Sequence, residues 1–245
     1  MFDQLNEDYG LKDQGLLNTY LGIEVEQNDR SIKIHQTKYC EQILERFGFS
    51  DAHPSRIPME AKLRLTVNDT DTASRKEVPR NGKVFPYREL AGSLIKTAAE
   101  VPCWYQKPRI VYSKDAVTSD SGTLVLDGFC DSDWGNDPDT RKSVTGYVHC
   151  MSGGAISWAS RRQTIVAQST AEAEWLRTQP TVAGCDTLNY AGTTYERDQV
   201  AKKTMELWKV KTDVNPSDLM TKLLASERFE MLNDMIGMTK QHLPM

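Results

Sequence analysis

The sequence predicts an α/β fold in which a meander of three antiparallel strands is followed by alternating helices and strands. Between residues 122 and 160, three runs of alternating apolar and polar side chains are separated by short turns, a pattern typical of antiparallel pairing. Helical periodicity follows at residues 169–179. A smaller α+β segment, consisting of a hairpin and helices, is predicted ahead of the meander.

The N-terminal segment begins with the predicted hairpin. "YLGIEVEQ" (20–27) and "SIKIHQ" (31–36) alternate apolar and polar residues on either side of a short turn. "TKYCEQILERFG" then places its apolar residues on one helical face, and Gly48 ends this helix. "PYRELAGSLIKTAAE" (86–100) predicts a further helix with a proline in its first turn.

The C-terminal half carries the clearest periodicity. Its meander strands are "GTLVLDGFCD" (122–131), "SVTGYVHCM" (143–151) and "AISWAS" (155–160). The helix "STAEAEWLRTQ" ends before Pro180. Later elements are a predicted strand, "TMELWKVKT" (204–212), and the helical segments "NPSDLMTKLL" and "SERFEMLNDMIGM". The predicted parts are an N-terminal unit (1–100), an irregular linker (101–121), the main α/β domain (122–224) and a helical tail (225–245).

Composition limits the classes of function. The chain has 245 residues, 39% of them hydrophobic and 26% charged, and no apolar run approaches the ~20 residues that span a bilayer. Its five cysteines form no CxxC pair, which favours reduced thiols in the cytoplasm or nucleus over disulfides or a zinc site. The net charge of −4 is unusual for a protein that holds nucleic acid unaided. Such a role would need a local patch, a metal ion or another chain.

Carboxylates at element boundaries are the candidate functional groups. Asp131 ends the first meander strand, Glu172 completes an S-x-x-E capping box with Ser169, and Asp218 opens a late helix. Clustered carboxylates repel one another, so their convergence would predict a divalent cation such as Mg²⁺. The residues alone leave another interpretation open, in which these acids form turns and cap helices. Asp133 is expected to face solvent or to cap its turn.

A long stretch carries a specific resemblance. "GFCDSDWGNDPDTRKSVTGYVHCMSGGAISWASRRQTIVAQSTAEAEW" closely resembles the ribonuclease H region of copia-type retrotransposon Pol polyproteins. "YLGIEVEQNDRSIKIHQTKYCEQILERFGFSDAHPSRIPM" and "YRELAGSLI" resemble family segments that follow the reverse transcriptase palm. "RDQVAKKTMELWKVKTDVNPSDLMTKLL" is similar to the closing block of the family's ribonuclease H. The matches cover most of residues 11–224.

The resemblance implies both a fold and a chemistry. The fold is a ribonuclease H-like mixed sheet of five strands, preceded by the end of a reverse transcriptase region. The implied activity is cleavage of the RNA strand of an RNA–DNA hybrid by two Mg²⁺ or Mn²⁺ ions. The acids that match the family's metal ligands are Asp131, Glu172, Asp186 and Asp218, with Asp186 nominated by the likeness of "CDTLNYA" to the family's C-D-N-x-x-A. Reverse transcriptase activity is not expected, because the family's Y-x-D-D motif is absent from this sequence.

Departures from the family pattern predict an impaired site. The family's R-T-K-H-I stretch is missing, and thirteen residues separate Glu172 from Asp186. A helix, a turn and a returning strand must fit into that interval, whereas helix crossovers alone need about 10–12 residues. Three interpretations follow: a hybrid nuclease with reduced activity, a non-catalytic transposon remnant, or an interaction or structural module without nuclease activity. In each case the remainder of a Pol polyprotein is an expected partner.

Overall fold

The computed structural model describes residues 15–53, 55–61, 63, 66, 89, 90, 93, 109–116, 125–176 and 208–239, and structural statements concern these residues. The strands are β1 (Thr19–Tyr20), β2 (Ile23–Gln27), β3 (Ser31–His35), β4 (Arg109–Ser113), β5 (Leu126–Ser132), β6 (Val144–Met151), β7 (Gly154–Arg162) and β8 (Met238–Thr239). The α-helices are α1 (Thr37–Arg46), α2 (Thr170–Leu176) and α3 (Ser226–Met235). Short 3₁₀ segments occupy Lys114–Ala116, Thr212–Val214 and Pro216–Met220.

The predicted N-terminal hairpin is confirmed. Strands β2 and β3 pair antiparallel, with Val25 opposite Ile34. Asn28 shapes the connecting turn, because its Oδ1 atom accepts the backbone N–H groups of Arg30 (2.9 Å) and Ser31 (2.7 Å). The polar turn residue therefore fixes the register that the alternating pattern requires.

Helix α1 is also confirmed, and it packs through one face. Its buried Cys40 and Ile43 join Phe47 in a small apolar cluster, against which Leu90 packs. Gly48 ends the helical turn with a φ of +73°, a conformation that costs glycine little. Of the helix predicted at 86–100, residues 89, 90 and 93 are described and are helical.

The predicted irregular linker differs from what is found at residues 109–113. These residues form strand β4, which pairs with β3 through Ile34 opposite Ile110. On its other edge, β4 pairs with β8, where Ile110 lies opposite Met238. The apolar–polar pattern of a five-residue strand is too short to be recognised from the sequence alone, and the strand is identified by its pairing partners. The helical tail differs in the same way, because α3 is followed by strand β8. The domain boundaries themselves stay predictions.

The predicted meander is confirmed as a second sheet with strand order β5-β6-β7. Asp131 on β5 lies opposite Gly146 on β6, and Val148 on β6 lies opposite Trp158 on β7. The described residues therefore form an α/β arrangement of two antiparallel sheets with few helices.

A shared core joins the two sheets. Its buried members come from both sheets and from the end of α3: Ile110, Val148, Cys150, Ala155, Ile236 and Met238. The backbone N–H of Ala155 donates to the carbonyl of Ile236 at 2.9 Å. Gly237 has a φ of +75°, and a Cβ there would lie 2.5 Å from the carbonyl oxygen of Gly153. Glycine therefore suits this position in two ways: it adopts the positive φ of the turn into β8, and it has no side chain to collide with the β6–β7 turn.

Among the described residues, three of the five cysteines bear on disulfides and the helices bear on membrane-spanning length. Cys40, Cys130 and Cys150 are free thiols, and burial raises the pKa of Cys150 to about 11. None of the described helices is both long enough and apolar enough to cross a bilayer.

Two later elements differ from expectation. The strand predicted at 204–212 is wrong over residues 208–211, which lack regular structure, and a 3₁₀ segment begins at Thr212. Trp208 is 80% exposed, so the alternation that suggested a strand has no core to cover there. Residues 204–207 lie outside the described residues. "NPSDLM" is helical as predicted, but as a tight 3₁₀ turn.

Gly146 provides the space into which that 3₁₀ turn fits. A Cβ at this position would lie 2.5 Å from Met220 Cβ, 2.8 Å from Thr221 Cγ2 and 3.2 Å from the carbonyl of Ser217. The Pro216–Met220 segment therefore sits directly on the sheet, opposite the Asp131 end of β5.

We expect Gly146→Ala to lower the free energy of unfolding by about 1–3 kcal/mol, because the added methyl group must push this segment away. Denaturant titration measures the change. Gly128→Ala is the matched control, since its Cβ would meet only the end of the His149 ring, at 3.1 Å. Equal stability of the Gly146 variant and the native chain would contradict the close seating.

Candidate functional site

The site is built around Asp131 at the end of strand β5. Its Oδ2 atom accepts a hydrogen bond from the Thr221 hydroxyl at 2.5 Å. Its Oδ1 atom lies 3.2 Å from the Lys222 ammonium. The side chain of Asp131 is only 12% exposed, so both contacts act in a partly desolvated place.

Asp218 reaches the same place from the 3₁₀ turn of residues 216–220. Asn215 caps this turn, with its Oδ1 atom accepting the N–H of Ser217 at 3.2 Å, and its amide nitrogen donates to the carbonyl of Cys130 at 3.1 Å. Pro216 suits the first turn because its nitrogen has no hydrogen to satisfy. The sequence N-P-S-D therefore fixes the turn to strand β5 and places Asp218 beside the end of that strand.

The Asp218 carboxylate is completely buried and is paired on both sides. Its Oδ1 atom accepts the Lys222 ammonium at 2.8 Å, and its Oδ2 atom contacts the Arg228 guanidinium of helix α3. Arg228 also donates to the carbonyl of Thr212. These two cations offset the desolvation of a carboxylate that has no access to water.

Lys222 links the two acids. Because its ammonium contacts one oxygen of Asp131 and one of Asp218, those oxygens lie within about 6 Å of each other, near enough for their charges to interact. Burial alone would lower the pKa of Lys222, but its hydrogen bond to Asp218 and the charges of both acids raise it above the ordinary value. The amine therefore remains charged at neutral pH.

Glu172 has a local role at the start of helix α2. Its carboxylate accepts the backbone N–H of Gln168 at 2.6 Å, and its own N–H donates to the Ser169 hydroxyl at 3.1 Å. The bond to Ser169 is the one that S-x-x-E predicts, whereas the Glu172 carboxylate accepts the N–H of Gln168, one residue before the capping serine. The assignment of Glu172 as a metal ligand stays a prediction.

Glu174 is the helix carboxylate that contacts the end of strand β5. Its Oε1 atom accepts the backbone N–H of Ser132, the residue after Asp131, at 3.2 Å. Side chains two residues apart on a helix point about 200° from each other, so Glu172 and Glu174 face different surroundings. The sequence analysis did not select Glu174. The available signal was the capping box, which already assigns Glu172 to the helix terminus.

Two aspartates that follow Asp131, Asp133 in D-S-D-W and Asp137 in N-D-P-D, serve the turn. Asp133 is buried, with 7% exposure, and its Oδ1 atom accepts the N–H of Val144 across the turn at 2.5 Å. Burial raises the pKa of Asp133, and the bond from Val144 opposes that rise. Asp133 thus caps the turn and does not face solvent. Asp137 accepts the Thr140 hydroxyl and its N–H, and these bonds help lower the pKa of Asp137 to about 2.

The donor chemistry at this place partly fits a divalent metal ion. Asp131 and Asp218 supply the hard oxygen ligands that Mg²⁺ prefers, with an ammonium between them. Among the described ranges, no set of three or more His, Cys, Asp or Glu side chains is arranged to hold a metal ion. Asp186 lies outside the described residues.

Comparison with known proteins identifies relatives along most of the chain. Residues 1–61 match the family described as reverse transcriptase (RNA-dependent DNA polymerase). The chain is 26% identical to the Retrovirus-related Pol polyprotein from transposon TNT 1-94 of Nicotiana tabacum, over 96% of this chain and 22% of the relative. It is 24% identical to the Pol polyprotein from transposon RE1 of Arabidopsis thaliana, over 97% of this chain and 20% of the relative.

A further relative has a similar length. An uncharacterized mitochondrial protein of Arabidopsis thaliana is 27% identical, over 82% of this chain and 89% of the relative. No solved structure matches.

The alignments show how the length of this chain differs from that of its relatives. It spans about a fifth of each of the two polyproteins. The alignment with the tobacco protein runs over 299 residues, more than the 245 residues of this chain, so the relative contains residues within the aligned region that this chain lacks. Over most of its length, this chain therefore has copia-type retrovirus-related Pol polyproteins as its homologues, with a reverse transcriptase match at its N-terminus.

Proposed function

We propose that this chain is a segment of a copia-type Pol polyprotein whose C-terminal part is a ribonuclease H-like unit directed at RNA–DNA hybrids. The single observation that carries the proposal is the pairing of Asp131 and Asp218 with one ammonium group. These acids come from distant parts of the sequence and meet at the end of strand β5, beside its partner β6. Convergence of that kind is common at sites that bind a cation or a phosphate.

The proposed ligands of Mg²⁺ or Mn²⁺ are Asp131 and Asp218, with Glu174 close by through its bond to Ser132. A divalent ion at this place would stabilise charge on a phosphate and lower the pKa of a bound water. Thr221 orients Asp131 by donating to the oxygen that Lys222 leaves free. Glu172 and Asp186 remain proposed ligands on the family pattern alone.

Several features support low activity. The Lys222 ammonium lies between Asp131 and Asp218, in the space that a metal ion bound to both acids would occupy. Ion binding therefore requires the ammonium to move. The chain lacks residues that its tobacco relative has, in keeping with the short interval between Glu172 and Asp186. A misplacement of about 1 Å in a catalytic group can lower a rate 10²-fold. The net charge of −4 also disfavours binding to a polyanion.

A second candidate is a non-catalytic structural module of the same polyprotein. The observation that favours it is the charge balance at the site, where two carboxylates meet Lys222 and Arg228. Such a cluster needs no metal ion for compensation. For either candidate, the proposed partner is the remainder of a Pol polyprotein, the proposed compartment is the cytoplasm or nucleus, and no polymerase activity is proposed because Y-x-D-D is absent.

The first test is direct cleavage. We expect little or no cleavage of the RNA strand of a labelled RNA–DNA hybrid by the purified chain in Mg²⁺ or Mn²⁺, because Lys222 occupies the space between the acids and the chain is acidic. Product is resolved on denaturing gels. Asp131→Asn should abolish any cleavage, while Asp139→Asn, at an exposed turn position, should leave it unchanged. Cleavage that co-purifies with the chain and survives unchanged in the Asp131 variant would contradict the proposed site.

The second test is metal-dependent stability. A ligand that binds only the native state stabilises it, by about 1.4 kcal/mol at ten times its Kd. We expect millimolar Mg²⁺ to raise the melting temperature of Lys222→Met more than that of the native chain, because the competing ammonium is gone. Lys209→Met, which changes an exposed lysine, is the control. If Mg²⁺ and Mn²⁺ leave the melting temperature of all three proteins unchanged, the metal site is excluded.

The third test addresses the structural candidate. Asp218→Asn keeps the shape of the side chain but leaves Arg228 without its carboxylate and Lys222 with Asp131 alone. We expect a loss of about 2–3 kcal/mol in unfolding free energy, less than the ~3–5 kcal/mol typical of a fully buried pair because both cations are partly exposed. Denaturant titration beside the exposed-site variant Asp213→Asn provides the measurement. Unchanged stability would remove the case for a structural cluster.

A further inference from the structure

The geometry points to Gln163 as a positioning residue, which holds the Glu174 carboxylate beside the Asp131 end of strand β5. The inference rests on the proposed function, because it gives Gln163 a role in arranging the proposed ligands. Gln163 follows strand β7 directly, and its backbone N–H donates to the carbonyl of Ser143 at 2.8 Å. Its main chain is therefore fixed against the start of β6.

The side-chain amide of Gln163 contacts three separate elements. Its Nε2 atom lies 3.0 Å from the Ser132 hydroxyl on β5, 3.0 Å from the Thr145 hydroxyl on β6 and 2.8 Å from the carbonyl of Ala173 in α2. The carbonyl can only accept, so the amide nitrogen must be the atom that faces it. The two hydroxyl groups can rotate to suit the remaining N–H. One amide thus joins strands β5 and β6 to helix α2.

These contacts close a ring of hydrogen bonds around the proposed site. Gln163 contacts Ser132 and Ala173, and the chain neighbour of Ala173 is Glu174. Glu174 completes the ring by accepting the N–H of Ser132. Ser132 in turn directly follows Asp131. Loss of the Gln163 amide would therefore release helix α2 from the strand end and let Glu174 move relative to Asp131.

The two ends of the Gln163 amide differ in their surroundings. Its Oε1 atom is buried and has no hydrogen-bond partner among the residues that the structure describes, whereas its Nε2 atom makes all three contacts. A buried acceptor without a partner is unfavourable, and methionine would fill nearly the same space without one. Glutamine at this position therefore supplies the N–H groups that tie helix α2 to the strands, which is the task of a residue that supports a functional site.

The experiment measures the ring directly in the full chain. Amide hydrogen exchange is followed at Ser132 and, as a reference for global opening, at Val148, which is fully buried in the shared core. Binding of Mn²⁺ is followed by its paramagnetic broadening of the Ser132 amide signal. The variants are Gln163→Met and the milder Ser132→Ala, with Gln42→Met, at an exposed position of α1, as the matched control.

We expect Gln163→Met to speed exchange at residue 132 about tenfold relative to residue 148, and to weaken Mn²⁺ binding roughly 10-fold, a typical effect of losing a partner that orients a ligand. Ser132→Ala should shift both values in the same direction, and Gln42→Met neither. Unchanged exchange at residue 132, or equal acceleration at residues 132 and 148, would overturn the positioning role. Absence of Mn²⁺ binding to the native chain would instead count against the proposed nuclease, and the exchange measurement would still decide the role of Gln163.

Discussion

The complete burial of the Asp218 carboxylate is the constraint on which the rest of the C-terminal structure depends. A buried charge must be paired with opposite charges, and Lys222 and Arg228 each contact one oxygen of the Asp218 carboxylate. Lys222 then extends to Asp131, which ties the 3₁₀ turn to the end of β5. Arg228 belongs to helix α3, so the same carboxylate also fixes the direction in which the last helix leaves. One buried charge thus relates a strand end, a turn and a helix.

Local periodicity predicted much of the fold. The hairpin, helix α1, the meander and helix α2 have patterns that are visible within each segment, because their side chains alternate or repeat against a fixed core. Strands β4 and β8 have five and two residues, and their identity comes from pairing with β3 and with each other. The strand predicted around Trp208 is wrong for the opposite reason: its residues alternate in polarity, but they have no apolar surface to pack against. A ribonuclease H-like arrangement remains a proposal.

The candidate site was accessible to sequence reasoning only in part. The positions of Asp131 and Asp218, at a strand end and a turn start, indicated where carboxylates could meet. The ammonium between them could not be foreseen, because Lys222 looks like an ordinary exposed lysine in the sequence, and its pairing depends on the fold. The choice between Glu172 and Glu174 depends on which helix face meets β5, and helix rotation is a tertiary property.

The pairing of β4 with both β3 and β8 has a consequence for how a polyprotein of this kind can be divided. Strand β3 lies within the part that matches a reverse transcriptase, whereas β8 lies beyond the segment that resembles ribonuclease H. A protease cut after residue 224 would place Arg228 and Met238 on one fragment and their partners Asp218 and Ile110 on the other, joined by noncovalent contacts alone. The smallest piece that keeps its core intact therefore reaches from the first hairpin to the last strand. Processing between the two regions would yield fragments that stay associated rather than independent products.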